Sequence, residues 1–375
     1  MSLSKWQAER LITGLWYHKS LFNTFLSILL LPITVFYWLA SSFLRTFHLR
    51  SRKVSLLQAE ADLPVIVVGN LSIGGAGKTP IIINLAGQLI KAGFQPAIIS
   101  RGYGGLATQR RNAVIVVNAD SDPDYCGEEP VLIAQSLKNI PVIISACRAS
   151  ALHYVANNLS CNVVLSDDGL QHYQLPRTIE IAVIDSKQVL GNGMLIPSGP
   201  LRERATRLKQ VDHIVVTGSG HFAIPEQLKQ FSTKSSKVIT CIDAMREIEA
   251  SGYTLSYSSI DEIRERLINF STLHMVAGIG NPDKFFTTVG NIFVVSKTMP
   301  KLLRHAYSDH HRYTVKDAKV LDSLAVENAL IVTAKDAVKL LALDYAFKAT
   351  FFIIDIETVL DTAITTAIIN RLNQK

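Results

Sequence analysis

The chain has 375 residues, nearly half of them hydrophobic, with 38 Lys and Arg against 31 Asp and Glu and a formal charge of +7. That length suits two domains with a sizeable core and excludes a disulfide-stapled miniprotein; Cys126, Cys147, Cys161 and Cys241 lack zinc-ligand spacing and fit a reducing compartment. A moderate cationic excess suits anionic partners such as nucleotide, phospholipid or nucleic acid, and equally a plain solvated basic surface.

The first element is apolar. No charged residue occurs from Ser20 to Leu44, a run longer than the roughly 20 residues a bilayer crossing needs. Lys5, Arg10 and Lys19 precede it, and Arg45, Arg50, Arg52 and Lys53 follow it. Trp16, Tyr17, Tyr37 and Trp38 suit a membrane interface. Pro32 is expected to kink the helix. No Ala-x-Ala-like site follows, so a cleaved signal peptide is disfavoured. Cations on both sides leave open a spanning helix or one lying in the interface, and the denser cluster after the run favours a cytoplasmic body. A buried core helix is the plainer alternative.

Next come short, nonalternating apolar strands interleaved with helices. Pro64–Val68, Ala97–Ser100, Val114–Val117, Val142–Ile144, Val163–Leu165, Ile181–Ile184 and Ile214–Val216 read as strands. Thr79–Ala92, Glu128–Leu137 and Arg148–Asn157 read as helices. This pattern predicts an α/β fold with a parallel sheet covered on both faces. Residues 218–260 turn polar, with weak alternation at Lys237–Ile242 that predicts a linker or a small strand pair. A second α/β segment follows, with strands at His274–Ala277, Leu330–Thr333 and Thr350–Ile354.

Two motifs carry chemistry. Between strand and helix lies Ser72-Ile73-Gly74-Gly75-Ala76-Gly77-Lys78-Thr79. The glycines let backbone N–H groups turn toward a polyphosphate, the helix N-terminus adds its dipole, Lys78 can reach the β- and γ-phosphates, and the Thr79 hydroxyl can ligate Mg²⁺. This is a P-loop for ATP or GTP, with Ser72 where the first glycine usually stands. Pro80 is tolerated in the helix's first turn. Farther on, the strand Val163–Leu165 runs into Ser166-Asp167-Asp168, a Walker B arrangement in which one aspartate holds Mg²⁺ beside the loop. No Asn-Lys-x-Asp guanine motif occurs, which disfavours a GTPase. The ParA/MinD-type ATPases resemble the loop but carry a lysine where this chain has Ile73. Gly278-Ile279-Gly280 is too short for a dinucleotide fingerprint.

Further motifs appear in order: Ser100-Arg101-Gly102-Tyr103-Gly104, Gly127-Glu128-Glu129-Pro130, Asp167 to His172, Gly191 to Glu203, Ala277 to Pro282, Ser308-Asp309-His310-His311 and Thr333-Ala334-Lys335-Asp336. With the Ser72-containing loop, this series resembles the tetraacyldisaccharide 4'-kinases of lipid A synthesis over most of the chain. The resemblance implies γ-phosphoryl transfer from ATP, with Mg²⁺, to the 4'-hydroxyl of a tetraacylated disaccharide 1-phosphate at the cytoplasmic face of the inner membrane. It implies no nucleic acid and no obligate protein partner. It implies a membrane-anchoring segment at 1–53, a P-loop core at 54–218, a strand linker at 219–260 and a smaller α/β domain at 261–375.

The resemblance also assigns roles. Lys78 and Thr79 serve phosphate and metal, and Asp168 with Asp167 forms the metal and catalytic pair. Arg101, Arg148 and Arg202, with Glu129 and Glu203, belong to the substrate and phosphate surroundings; arginine's planar fork suits such oxygens. In the family an aspartate pairs with a histidine to receive the hydroxyl proton. Here Glu128 stands in that place with His310, one methylene or about 1.5 Å longer. Acids at a helix start also stabilise its dipole with no catalytic part, and His172 and His311 suit ordinary polar positions. Ala334 stands where the family carries Glu, and a structural role is expected to be lost there. A membrane-tethered ATPase switch that recruits a protein is the alternative function.

Overall fold

The computed structural model describes residues 12–18, 20–55, 63–109, 113–218, 222–248, 254–296, 298–325 and 328–374, with backbone alone at 51–55 and 232. Lys5, Arg10 and Lys19, and the side chains of Arg52 and Lys53, lie outside that set.

The strands are β1 (Val65–Gly69), β2 (Pro96–Ser100), β3 (Ile115–Val117), β4 (Val142–Ile144), β5 (Val163–Asp167), β6 (Ile179–Asp185), β7 (His213–Gly218), β8 (Ser235–Ile248), β9 (Thr254–Tyr257), β10 (Thr272–Ala277), β11 (Lys301–Ala306), β12 (Ala329–Thr333) and β13 (Thr350–Thr358). They pair in the order β11-β10-β12-β13-β8-β7-β6-β1-β5-β2-β4-β3, with β9 on β8. The α/β expectation holds, with two departures from all-parallel pairing. Edge strand β3 runs antiparallel to β4, and β8 runs antiparallel to both β13 and β9.

Strand β1 shows why these runs lack alternation. Ile66 and Val68 enter one core with Ile81, Ile82, Leu85 and Leu89 of the helix Lys78–Lys91. Val65 and Val67 enter another, with Ala151, Leu152 and Val155 of the helix Arg148–Asn158. Both faces are dry, so every position must be apolar. Strand β1 is flanked by β5 and β6, the point where strand order reverses. The carboxyl ends of strands at such a point open a crevice suited to ligands.

The polar stretch before residue 260 holds the expected strand pair, β8 with β9, but β8 is 14 residues long and pairs with more than β9. Residues Ser235–Ile239 of β8 pair with β7, and Thr240–Ile248 with β13. One strand therefore belongs to both halves of the sheet. Its second half reads poorly in sequence because it is polar and only partly buried.

The apolar N-terminal run forms two helices, Leu21–Leu29 and Leu31–Ser55, bent by 53° at the break just before Pro32. Pro32 lacks the N–H that would continue the first helix's ladder. Among the described residues no single helix is long and apolar enough to cross a membrane. The outer face is unusually apolar, with Phe22, Phe36 and Phe43 each more than 70% exposed. The inner face is docked. Thr34 Oγ1 lies 2.7 Å from Ser198 Oγ, the Tyr37 hydroxyl donates to the Arg202 carbonyl at 2.9 Å, and Trp16 Nε1 donates to the Pro197 carbonyl at 3.0 Å. Arg204 covers the Trp38 ring at 4.5 Å. So Trp16, Tyr37 and Trp38, expected at a membrane interface, instead meet the 197–204 loop, the first two through their polar tips and Trp38 through its ring face. A buried core helix is likewise ruled out by the exposed phenylalanines.

Candidate active site

The P-loop leaves β1 at Gly69 and enters its helix at Lys78. Gly77 has φ +78°, a conformation open to glycine at little cost, and it starts the helix with free N–H groups. Asn70 braces the loop, donating from Nδ2 to the Gly74 carbonyl at 3.0 Å, and its Oδ1 accepts from Lys78 Nζ at 3.4 Å. Ser72 forms a bridge with Leu201, and Ile73 N–H donates to the Pro200 carbonyl at 2.9 Å. The serine in the usual glycine position thus ties the loop to the Gly191–Glu203 segment. Ala76 is buried, and its carbonyl accepts from Thr217.

Parallel register places Val68 opposite Asp167, so β5 delivers its acids beside the loop. Asp168 lies 3.2 Å from Lys78 Nζ and 2.9 Å from Arg202 Nη1. Burial opposes its ionisation, but the charges of Lys78 and Arg202 win and hold it below the usual carboxylate range. Asp167 goes the other way. Burial, with Glu129 and Asp168 nearby, raises it to about 6 despite Lys78 and Arg148. One of its oxygens accepts from Ser100 Oγ at 3.0 Å, and the other has no hydrogen-bond donor.

Arg148 is 4% exposed at the first turn of its helix. A cation is unfavourable there. Its Nη2 donates to the Asp167 carbonyl at 2.9 Å, while Nε and Nη1 have no hydrogen-bond partner. Burial brings it down to about 10, still cationic at neutral pH. A buried guanidinium with spare donors suits an anion. His172 sits in the same region, lowered to about 3 by burial and by Arg148, and so is neutral.

Glu128 and Glu129 open the helix Glu128–Ser136. Glu128 is only 7% exposed, so it does more than decorate a dipole. Its Oε1 lies 2.6 Å from His310 Nδ1 and its Oε2 lies 2.8 Å from Lys339 Nζ. Burial would raise Glu128, but the hydrogen bond from His310 and the charge of Lys339 outweigh it and bring it to about 2. Burial would lower His310, but Glu128 and Asp309 raise it. Glu129 pairs with Lys335. His311 turns away, packed among Tyr307 and Tyr313. Tyr103 sets its ring against His310 at 5.1 Å, and Arg312 Nη2 donates to the Gly104 carbonyl at 3.0 Å.

One cavity of about 920 Å³ collects most of these groups. Lys78, Thr79, Arg101, Glu129, Arg148, Asp167, Asp168, Arg202 and His310 line it, with Tyr37 of the N-terminal helices at its wall. Arg101 lines the cavity and is exposed. Glu203 is placed differently: it pairs with the Tyr173 hydroxyl, accepts from Gln171 Nε2 at 3.1 Å and lies 3.7 Å from Arg45. That makes it a brace of the 191–203 segment rather than a wall of the cavity. Among non-glycine described residues, positive φ occurs only at Asp168 (46°), Val189 (46°) and His310 (55°). Backbone strain of this kind concentrates at functional sites.

Lys335 lies in one of the matched motifs but its partner was not legible there, and Lys339 and Lys284 lie in no matched motif. Lys335 and Lys339 reach Glu129 and Glu128 from one helix face at i,i+4 spacing. Lys284 lies 3.6 Å from Asp185 at the end of β6. The i,i+4 lysines were a readable signal, but nothing in the sequence says that two glutamates two hundred residues earlier face them.

The model of the tetraacyldisaccharide-1-P 4'-kinase family matches residues 26–373. The chain belongs to this family. Similar members include the tetraacyldisaccharide 4'-kinases of Francisella philomiragia, 36% identical over 88% of this chain and 94% of that one, and of Actinobacillus succinogenes, 37% identical over 86% and 87%. The crystal structure of LpxK from Aquifex aeolicus, described as an "apo" form in complex with ATP, superposes with a TM-score of 0.65 at 22% identity, covering 92% of this chain and 99% of that one. At that identity the likeness is one of fold. The family model spans both halves of the sheet and most of the apolar N-terminal helices.

Proposed function

We propose that this chain transfers the γ-phosphoryl group of ATP to the 4'-hydroxyl of a tetraacyldisaccharide 1-phosphate, working at the cytoplasmic face of the inner membrane. The observation that carries the reading is the Glu128–His310 pair, whose histidine lines the same cavity as the P-loop and Asp168. An NTPase switch has no use for a carboxylate–imidazole pair there.

Gly74 to Thr79 cradle the phosphates, and Lys78 leaves Asp168 to reach them. Arg148 and Arg202 offset charge on the transferred group, and Arg101 lines the same cavity. Phosphoryl transfer depends mainly on such positioning and charge neutralisation. The acceptor hydroxyl approaches His310, and the Glu128–His310 pair takes its proton. The apolar outer faces of the N-terminal helices keep the protein on the bilayer that holds the acyl chains.

The residues fit Mg²⁺. The donors beside the loop are hard oxygens, the Asp167 oxygen without a donor is buried, and no cluster of three or more His, Cys, Asp or Glu forms a dedicated cage among the described residues. Mg²⁺ characteristically takes one or two carboxylates and completes its shell with phosphate and water. Thr79 and Asp168 would hold it. When bound it neutralises charge on the β- and γ-phosphates.

The deciding assay is transfer of radiolabel from γ-labelled ATP to the tetraacyl disaccharide 1-phosphate in detergent. Label in the lipid, lost in Lys78→Ala, supports the reading. ATP hydrolysis that ignores the lipid, together with nucleotide-dependent capture of a protein, would support the switch instead.

A further inference from the structure

The Glu128 side chain has one more rotatable bond than the aspartate it replaces. A longer carboxylate needs more restraint to present one chosen oxygen to an imidazole, since a misplacement of about 1 Å can cost roughly 100-fold in rate. His310 holds only Oε1. Something must fix the other end.

We propose that Lys339 is the positioning residue for the Glu128–His310 pair, an inference that rests on that pair being the proton acceptor. Its ammonium lies 2.8 Å from Glu128 Oε2 and 3.3 Å from Asp336 Oδ1, with the side chain 11% exposed. The same ammonium lies 5.3 Å from the centre of the Tyr313 ring. Asp336 is itself immobile. It is fully buried and accepts from Gly278 N at 3.0 Å, Thr333 Oγ1 at 2.7 Å and Tyr313 Oη at 3.1 Å. Lys339 thus lies between a fixed anion, a ring and Glu128 at ion-pair distance, without a well-aligned hydrogen bond, and its charge draws Glu128 Oε2 toward that fixed site. With His310 on one oxygen and the Lys339 charge beside the other, the carboxylate is restrained at both ends. Lys339 touches neither phosphate nor acceptor, and it is not among the residues lining the cavity.

The charge of Lys339 matters as well as its shape. The groups facing Glu128 and His310 are Glu129 on Glu128's own helix; Lys335, Asp336 and Lys339 on the helix Ala334–Leu341; and Asp309, His311, Tyr313 and the Tyr103 ring from the neighbouring loops. Lys335 is engaged with Glu129. Removing Lys339 leaves Glu128 with His310 as its close cationic partner. Both members of the pair then hold protons more tightly, so whichever one limits activity at low pH does so at a higher pH.

The test is the pH dependence of kcat and kcat/KM for lipid phosphorylation, measured on the full chain for wild type, Lys339→Gln, Lys339→Met, Lys339→Arg and Glu128→Gln. The expected result is a fall in kcat of about 10- to 100-fold in Lys339→Gln and Lys339→Met, little change in KM for ATP, and an acid limb moved up by about one pH unit. Lys339→Arg keeps the charge and should return the limb to its wild-type position. An unmoved limb in Lys339→Gln, or a limb that moves equally in Lys339→Gln and Lys339→Arg, overturns the inference and leaves Lys339 a packing residue. Should Lys339→Met fail to fold, the Gln and Arg pair carries the comparison. Wild-type activity in Glu128→Gln would instead overturn the proton-acceptor reading itself, whatever Lys339 does.

Discussion

Glu128 and His310 place opposite demands on pH. Glu128 is held down at about 2 and His310 is raised above its ordinary value of about 6.5. Below its raised pKa, His310 is an imidazolium beside the Glu128 carboxylate. The pair can accept a proton only after His310 gives up its own, so kcat/KM should rise with pH along a limb centred above 6.5. A limb at or below 6.5 in a pH–rate profile would remove His310 from the step. Stability runs the other way. The raised histidine stabilises the fold fully below its ordinary pKa, and that contribution is lost as pH rises through the raised value. The lowered glutamate contributes above about 4.5 and loses it as pH falls toward 2. Activity thus rises where the ion pair begins to let go. The two adjacent aspartates also part company. Asp168→Ala should lower kcat by about 10³-fold or more, whereas Asp167→Asn, which keeps the Ser100 contact at a site already raised to about 6, should cost far less; equal losses in side-by-side kinetics would refute the division. The sequence showed two acids in a row. Their different environments come from Lys78, Arg202, Glu129 and Arg148, which lie on four separate segments that only the fold brings together.

At the scale of elements, the Gly191–Glu203 segment links the N-terminal helices to the site. One end of it holds Ser198 against Thr34, and the other holds Arg202 on Asp168. Both Thr34 and Ser198 are buried, and Ser198 N also donates to Thr34 Oγ1 at 3.2 Å. Thr34→Val keeps the shape and removes the acceptor, leaving a buried N–H unpaired at about 1–3 kcal/mol. Hydrogen exchange across 191–203 should therefore quicken and kcat should fall, though Thr34 itself does not line the cavity. Unchanged exchange in that segment would show that the helices only anchor. The apolar run announced these helices by composition, because water forbids so much exposed hydrocarbon without a bilayer or a core. It did not announce the docking. Tyr37 and Trp38 looked like interface aromatics because sequence cannot say which side of a helix meets protein. Strand β8 was harder still. Its residues serve two neighbours in opposite directions, so neither a dry run nor a clean alternation marks it.

For the molecule as a whole, β8 joins the two halves of the sheet through hydrogen bonds to β7 and β13, and the cavity is closed by contacts rather than by chain. The tightest of these is backbone on backbone. Gly280, in the turn after β10, lies so close to Gly75 of the P-loop that a Cβ on Gly280 would come within 2.7 Å of Gly75 N. Real contacts are never that short, and backbone cannot swing aside as a side chain can. Asp336 holds the same turn through Gly278 N, so the turn cannot easily retreat. Gly280→Ala must then push the halves apart by a few tenths of an ångström or more, with His310 on one side and Lys78 on the other. The substitution removes no side chain from any core, so the melting temperature should stay close to wild type. Turnover should fall by about 100-fold, because the pair that takes the proton and the loop that holds the phosphates no longer meet at the right distance. The variant should still bind ATP, since the P-loop's own bracing by Asn70 and Ser72 is untouched. Wild-type turnover in Gly280→Ala, with its fold and nucleotide binding intact, would mean that the contact between Gly75 and Gly280 is not made during catalysis.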